Sequence, residues 1–75
     1  MHASFEVAGG VRAAPGGVAP AGLLVGGQWE RVLLIERIQV RGASRFFRVR
    51  TRVGVCKVRF DAATGRFTLR GSPGW

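Results

Sequence analysis

Phe47-Arg48-Val49-Arg50-Thr51-Arg52 is the stretch that decides the fold. Phe47, Val49 and Thr51 alternate with three arginines, and strict alternation is the mark of a half-buried strand. The pattern repeats downstream. After a turn at Gly54, Cys56, Val58 and Phe60 alternate with Lys57, Arg59 and Asp61. Phe67 and Leu69 then alternate with Arg66, Thr68 and Arg70. Asp61-Ala62-Ala63-Thr64-Gly65 lies between these runs as a hairpin loop. Its Asp can accept from turn amides, and its Gly can take a left-handed conformation.

Upstream, Gly42-Ala43-Ser44 marks a turn, and residues 29–41 form an imperfectly alternating run. Val32, Leu34, Ile38 and Val40 share one parity; Leu33, Ile35, Arg31, Arg37, Gln39 and Arg41 share the other. Glu36 interrupts the apolar parity, which a bulge near residues 34–37 or burial of both faces explains. A helix over residues 29–38 is the rival reading, because Trp29, Val32, Leu33 and Ile35 can share one side. The β-branched content and Gly42 favour a strand. Before it, Gly26-Gly27 between Leu23-Leu24-Val25 and Gln28-Trp29-Glu30-Arg31-Val32 reads as a two-residue hairpin.

Strands spaced by about ten residues predict an all-β fold, a small antiparallel meander curled into a barrel or half-barrel of SH3 or OB size. The meander domain spans residues 23–71. Residues 1–22 precede it. Ala3-Ser4-Phe5-Glu6-Val7 carries a weak edge-strand signal. Residues 8–22 hold two prolines and five glycines, which predicts a flexible loop or linker. Residues 72–75 form a tail. The expected core is Val32, Leu34, Ile38, Val40, Phe47, Val49, Cys56, Val58, Phe60, Phe67 and Leu69.

The chain has 75 residues, room for a single core of marginal stability, so a staple or partner is expected. Cys56 is the one cysteine and has no internal disulfide partner. No Cys/His cluster points to a metal, and no glycine pair opens a phosphate-cradling loop, so no cofactor is expected. No apolar run is long enough to span a membrane, and no basic segment near Met1 suggests a secretory signal. These features point to a cytoplasmic protein.

The net charge is +8, from 12 Lys+Arg against 4 Asp+Glu. All of the excess lies in residues 29–75. There, Arg31, Arg37, Arg41, Arg48, Arg50, Arg52, Lys57, Arg59, Arg66 and Arg70 are expected on the face opposite the core. Like charges directly opposite on a sheet repel, and only Glu30, Glu36 and Asp61 offset them. A polyanionic partner would relieve that cost. The plainer reading is a solvated face with arginines reflecting GC-rich coding. Arginine and lysine neutralise phosphates, and small β-barrels add stacking aromatics to such a surface. Phe46 is the first stacking candidate because it shares the parity of Arg48 and Arg50. Trp29 is the second. No motif for sequence-specific readout is present. Nucleic acid is the leading partner, and an acidic protein surface is the alternative. Unpaired edge strands also allow a protein-interaction or homo-oligomeric role.

Catalysis has little support. The single imidazole, His2, sits at the terminus. Cys56 falls on the core parity, where a thiol is inert. Glu30 and Glu36 would lie roughly 20 Å apart along a strand, too far for paired carboxylates.

The order Trp29-Glu30-Arg31-Val32, Phe46-Phe47-Arg48-Val49-Arg50-Thr51, and Phe60-Asp61 through Thr64-Gly65-Arg66-Phe67-Thr68-Leu69 resembles a family of small β domains of unknown function from GC-rich bacteria. Those domains occur alone or attached to proteins resembling error-prone translesion polymerases. The resemblance covers residues 23–70. It implies a bacterial β module that accompanies DNA-repair machinery, and it supplies no catalytic residue.

Overall fold

The computed structural model describes residues 6–8 and 10–70. His2, Phe5 and the tail at 72–75 lie outside them. Eight strands are present among the described residues: β1 (Glu6–Ala8), β2 (Val11–Ala13), β3 (Pro20–Val25), β4 (Gln28–Arg31), β5 (Leu34–Arg41), β6 (Ser44–Thr51), β7 (Gly54–Asp61) and β8 (Arg66–Arg70). The fold is all-β, with every pairing antiparallel. No described segment is a helix long and apolar enough to cross a membrane.

The strands form two sheets. The first is a five-stranded meander, β5-β6-β7-β8, with β1 added beside β8. The second is β2-β3-β4. The sheets share one core without closing into a barrel. Leu23 of β3 packs with Phe47, Val49, Cys56, Val58, Phe60 and Leu69 of the larger sheet.

The run from 29 to 41, expected as one long strand, is divided between the sheets. The break falls at Val32-Leu33, where the backbone serves both. The Val32 amide donates to the Ala21 carbonyl at 2.9 Å, and the Leu33 amide donates to the Arg50 carbonyl at 2.8 Å. A second tie crosses the sheets nearby. Arg52, in the β6–β7 turn, donates to the buried Glu30 carboxylate of β4 at 2.9 Å.

The turns follow the sequence chemistry. Gly26 and Gly27 both take positive φ (58° and 81°) and join β3 to β4 with Val25 opposite Gln28. Two-residue hairpins favour positive φ at both centres, which glycine adopts without strain. In the β7–β8 loop, the Asp61 side chain accepts from the Ala63 amide at 2.9 Å. Gly65, at φ 72°, donates to the Asp61 carbonyl at 2.7 Å.

Three expectations are corrected. The glycine- and proline-rich stretch 8–22 contains β2 and the start of β3, so the boundary expected at residue 22 falls inside a strand. Pro20 stands at the first residue of β3, a position where a missing amide costs little. Gly22 lies under the Arg12 side chain, whose Cβ is 3.7 Å from where a Cβ on Gly22 would be.

The second correction concerns the core. Leu34, Ile38 and Val40 are exposed rather than buried. The bulge falls between Ile35 and Arg37. It puts Ile35, opposite Val49, against the core and turns Leu34 to the other face, opposite Arg50. Ile38 and Val40 keep the inner parity but stay 55% and 66% exposed at the bare end of β5. Val32 and Phe67 pack at the core's margin.

Third, two of the basic residues lie off the expected face. Arg31 sits in β4 opposite Gly22, and Arg52 sits in the β6–β7 turn on Glu30. Neither belongs to the arginine face of the larger sheet.

Candidate nucleic-acid interface

Backbone register builds this face. β6 pairs with β7 so that Phe47 opposes Val58 and Val49 opposes Cys56 on the inner side. The outer side therefore receives the intervening residues, Arg48 opposite Lys57 and Phe46 opposite Arg59. Extending the register to β5 and β8 gives continuous rows. One row runs Arg37, Arg48, Lys57, Arg70, a cation on each of four neighbouring strands. Glu6 of β1 is in register beside Arg70 at its end. With strands about 4.8 Å apart, the four cations span roughly 15 Å. The next row is Gln39, Phe46, Arg59, Thr68, and the one beyond it is Arg41, Ser44, Asp61, Arg66.

The outer face from β5 to β8 thus carries Arg37, Arg41, Arg48, Arg50, Lys57, Arg59, Arg66 and Arg70 against two acids, Glu36 and Asp61. All eight were expected there, as was Phe46. Glu36, pushed out at the bulge, holds two of the arginines. Arg50 contacts its Oε2 at 2.6 Å through Nη2 and at 2.8 Å through Nε. Arg48 Nε lies 3.3 Å from Oε1. Both arginine side chains remain about half exposed.

A depression of about 290 Å³ opens between the first two rows. Arg37, Gln39 and Arg41 line it from β5, Phe46, Phe47 and Arg48 from β6, Lys57 and Val58 from β7 and Arg70 from β8. Phe46 is half-buried within it, and the Arg70 guanidinium carbon stands 5.3 Å from its ring centroid. That separation is within the range of a cation–π contact. Gln39 was not singled out by sequence, because a lone Gln among arginines carries no signal; its cross-strand pairing with Phe46 gives it interest.

Trp29, the second stacking candidate, is elsewhere. It lies in the smaller sheet beside Leu24, with the Arg12 guanidinium 4.0 Å from its ring centroid. Arg12 reaches it by crossing the strand at Gly22.

The other reactive groups are held structurally. Cys56 is fully buried. Burial pushes its thiol above the ordinary value; a side-chain hydrogen bond with Thr51 pulls it down, and the Glu30 charge adds to the rise. Glu30 is paired with Arg52, Glu36 with Arg48 and Arg50, and Asp61 with its own turn. Among the described residues no three of His, Cys, Asp and Glu converge on one point.

Fold and face together define a small basic all-β module. Compared with protein-family models, curated proteins and solved structures, the chain matches none.

Proposed function

We propose that this chain is a non-enzymatic module that binds nucleic acid, without sequence specificity, through the outer face of its larger sheet. The row Arg37, Arg48, Lys57, Arg70 carries the reading. Cations directly opposite one another on a sheet repel; Glu36 offsets this at Arg48, and a row of phosphates would offset it along the whole row. Arg41, Arg59 and Arg66 widen the field around it. The resemblance to small domains beside translesion-polymerase-like proteins fits a role accessory to DNA repair in a bacterial cytoplasm. The test is a titration of labelled single- and double-stranded DNA at low and moderate salt. Binding whose logarithm falls linearly with log salt is expected. Absence of binding to either form at low salt overturns the reading.

A second reading rests on a different observation. β5 ends the larger sheet, is eight residues long, and exposes Leu34, Ile38 and Val40. Long edge strands with exposed apolar residues pair with other chains. A protein-interaction or self-assembly role through β5 predicts mass above monomer by sedimentation, lowered by Val40→Lys. A monomer at all concentrations counts against self-assembly.

A further inference from the structure

We infer that the preferred ligand of this face is single-stranded nucleic acid, with one unstacked base seated on Phe46. The inference rests on the nucleic-acid reading above and narrows it. A duplex keeps its bases stacked and offers a protein surface its phosphates and groove edges. A flat cation row alone would take duplex and single strand alike. This face has something more. Its depression of about 290 Å³ has an aromatic ring, Phe46, in its lining, which a duplex backbone has no means to use.

The placement of neighbours fits a base. Phe46 lines the depression and is already in cation–π range of one flat cation, the Arg70 guanidinium. A ring that accepts a planar guanidinium also accepts a planar base. Gln39 is directly across from Phe46 on β5, at the rim. Its amide offers both donor and acceptor, so it can meet the edge of any base. Arg37, Arg48 and Lys57 stand one row away, where the flanking phosphates of a splayed nucleotide lie. Stacking is tolerant of sequence because every base has a π face.

The matched aromatic pair in the smaller sheet sharpens the assignment. Trp29 is closely covered by Arg12 at 4.0 Å, and the nearest row on its face holds two cations, Arg12 and Arg31, against four in the row beside Phe46. Phe46 has a looser cover, at 5.3 Å, and a depression beside it.

The experiment uses the full chain with a labelled oligothymidine of about ten nucleotides and a duplex of equal length, at two salt concentrations. Wild type should bind the single strand more tightly. Phe46→Leu keeps apolar bulk and removes the π face. It should weaken single-strand binding by roughly tenfold and leave duplex binding unchanged. Phe46→Trp should retain the single-strand preference, and its fluorescence should be quenched by oligothymidine. Equal binding of both forms by wild type, or an equal effect of Phe46→Leu on both, overturns the inference while leaving the wider reading standing. No binding of either form at low salt removes both.

Discussion

β5 and β6 are neighbours of equal length, eight residues each, and both interleave apolar with basic side chains. Their fates differ. β6 has strands on both sides and buries Phe47, Val49 and Thr51. β5 has one neighbour, and its paired residues Ile38 and Val40 remain mostly in solvent. Alternation therefore tells which face a side chain takes. Whether anything covers that face depends on where the strand lies and on what the second sheet reaches.

Ile38 and Phe47 are direct cross-strand partners and give the sharpest way to break this contrast. Phe47→Ala should cost about 3–5 kcal/mol, enough to unfold much of so small a domain. Ile38→Ala should cost less than about 1 kcal/mol, as at other exposed positions. Urea unfolding followed by Trp fluorescence measures both. A cost at Ile38 approaching that at Phe47 would mean that β5 is covered in solution, and would favour the edge-pairing reading.

The same contrast explains what could be read from the chain. The strands from 44 to 70 were legible, down to the side each residue takes, because central strands bury one face and the sequence must alternate. The turns were legible where glycine or Asp is chemically required, at Gly26-Gly27 and at Asp61 to Gly65. Leu34 was misplaced because the bulge reverses the parity of the β5 residues before it. Glu36 announced the bulge without fixing the residue at which parity changes. β2 and the first half of β3, residues 20–22, were missed because Pro20 and Gly22 read as breakers, although one opens its strand and the other makes room for Arg12. Arg31 and Arg52 were assigned by parity alone; parity is blind to a chain that changes sheets at Val32-Leu33, and it does not hold past the end of β6, where Arg52 turns to Glu30. The arginine face was legible as charge. Its rows, the depression and the place of Gln39 required the register.

Cys56 extends the comparison to β7, another strand with neighbours on both sides. Its raised pKa means that the folded state holds the thiol proton more tightly than the unfolded state does. The resulting stability is fully present below the ordinary thiol pKa and is lost as pH rises through the folded value. Stability of the wild type should therefore fall more steeply through the alkaline range than that of Cys56→Ala, which has no thiol to titrate. Alkylation by iodoacetamide at neutral pH should be slow until denaturant opens the sheet. Rapid alkylation of the native chain would show that the central strands open as readily as the edge.

Glu36 gives the smallest effect on stability and the most informative one on function. It belongs to β5, at the bulge, and it holds Arg48 and Arg50 of β6. Those arginines are about half exposed, so the pairing contributes no more than about 1 kcal/mol, and Glu36→Gln should barely shift the urea midpoint. Binding should respond in the opposite sense. A phosphate approaching Arg48 or Arg50 must displace the carboxylate, and the Glu36 charge also repels it. Removing the charge should raise affinity several-fold and steepen the salt dependence by up to about 0.7–0.9 per added phosphate contact. An edge strand would then supply the carboxylate that restrains the central strand's cations. Unchanged affinity and slope in Glu36→Gln would instead place the bound strand away from Arg48 and Arg50, over Arg41, Arg59 and Arg66.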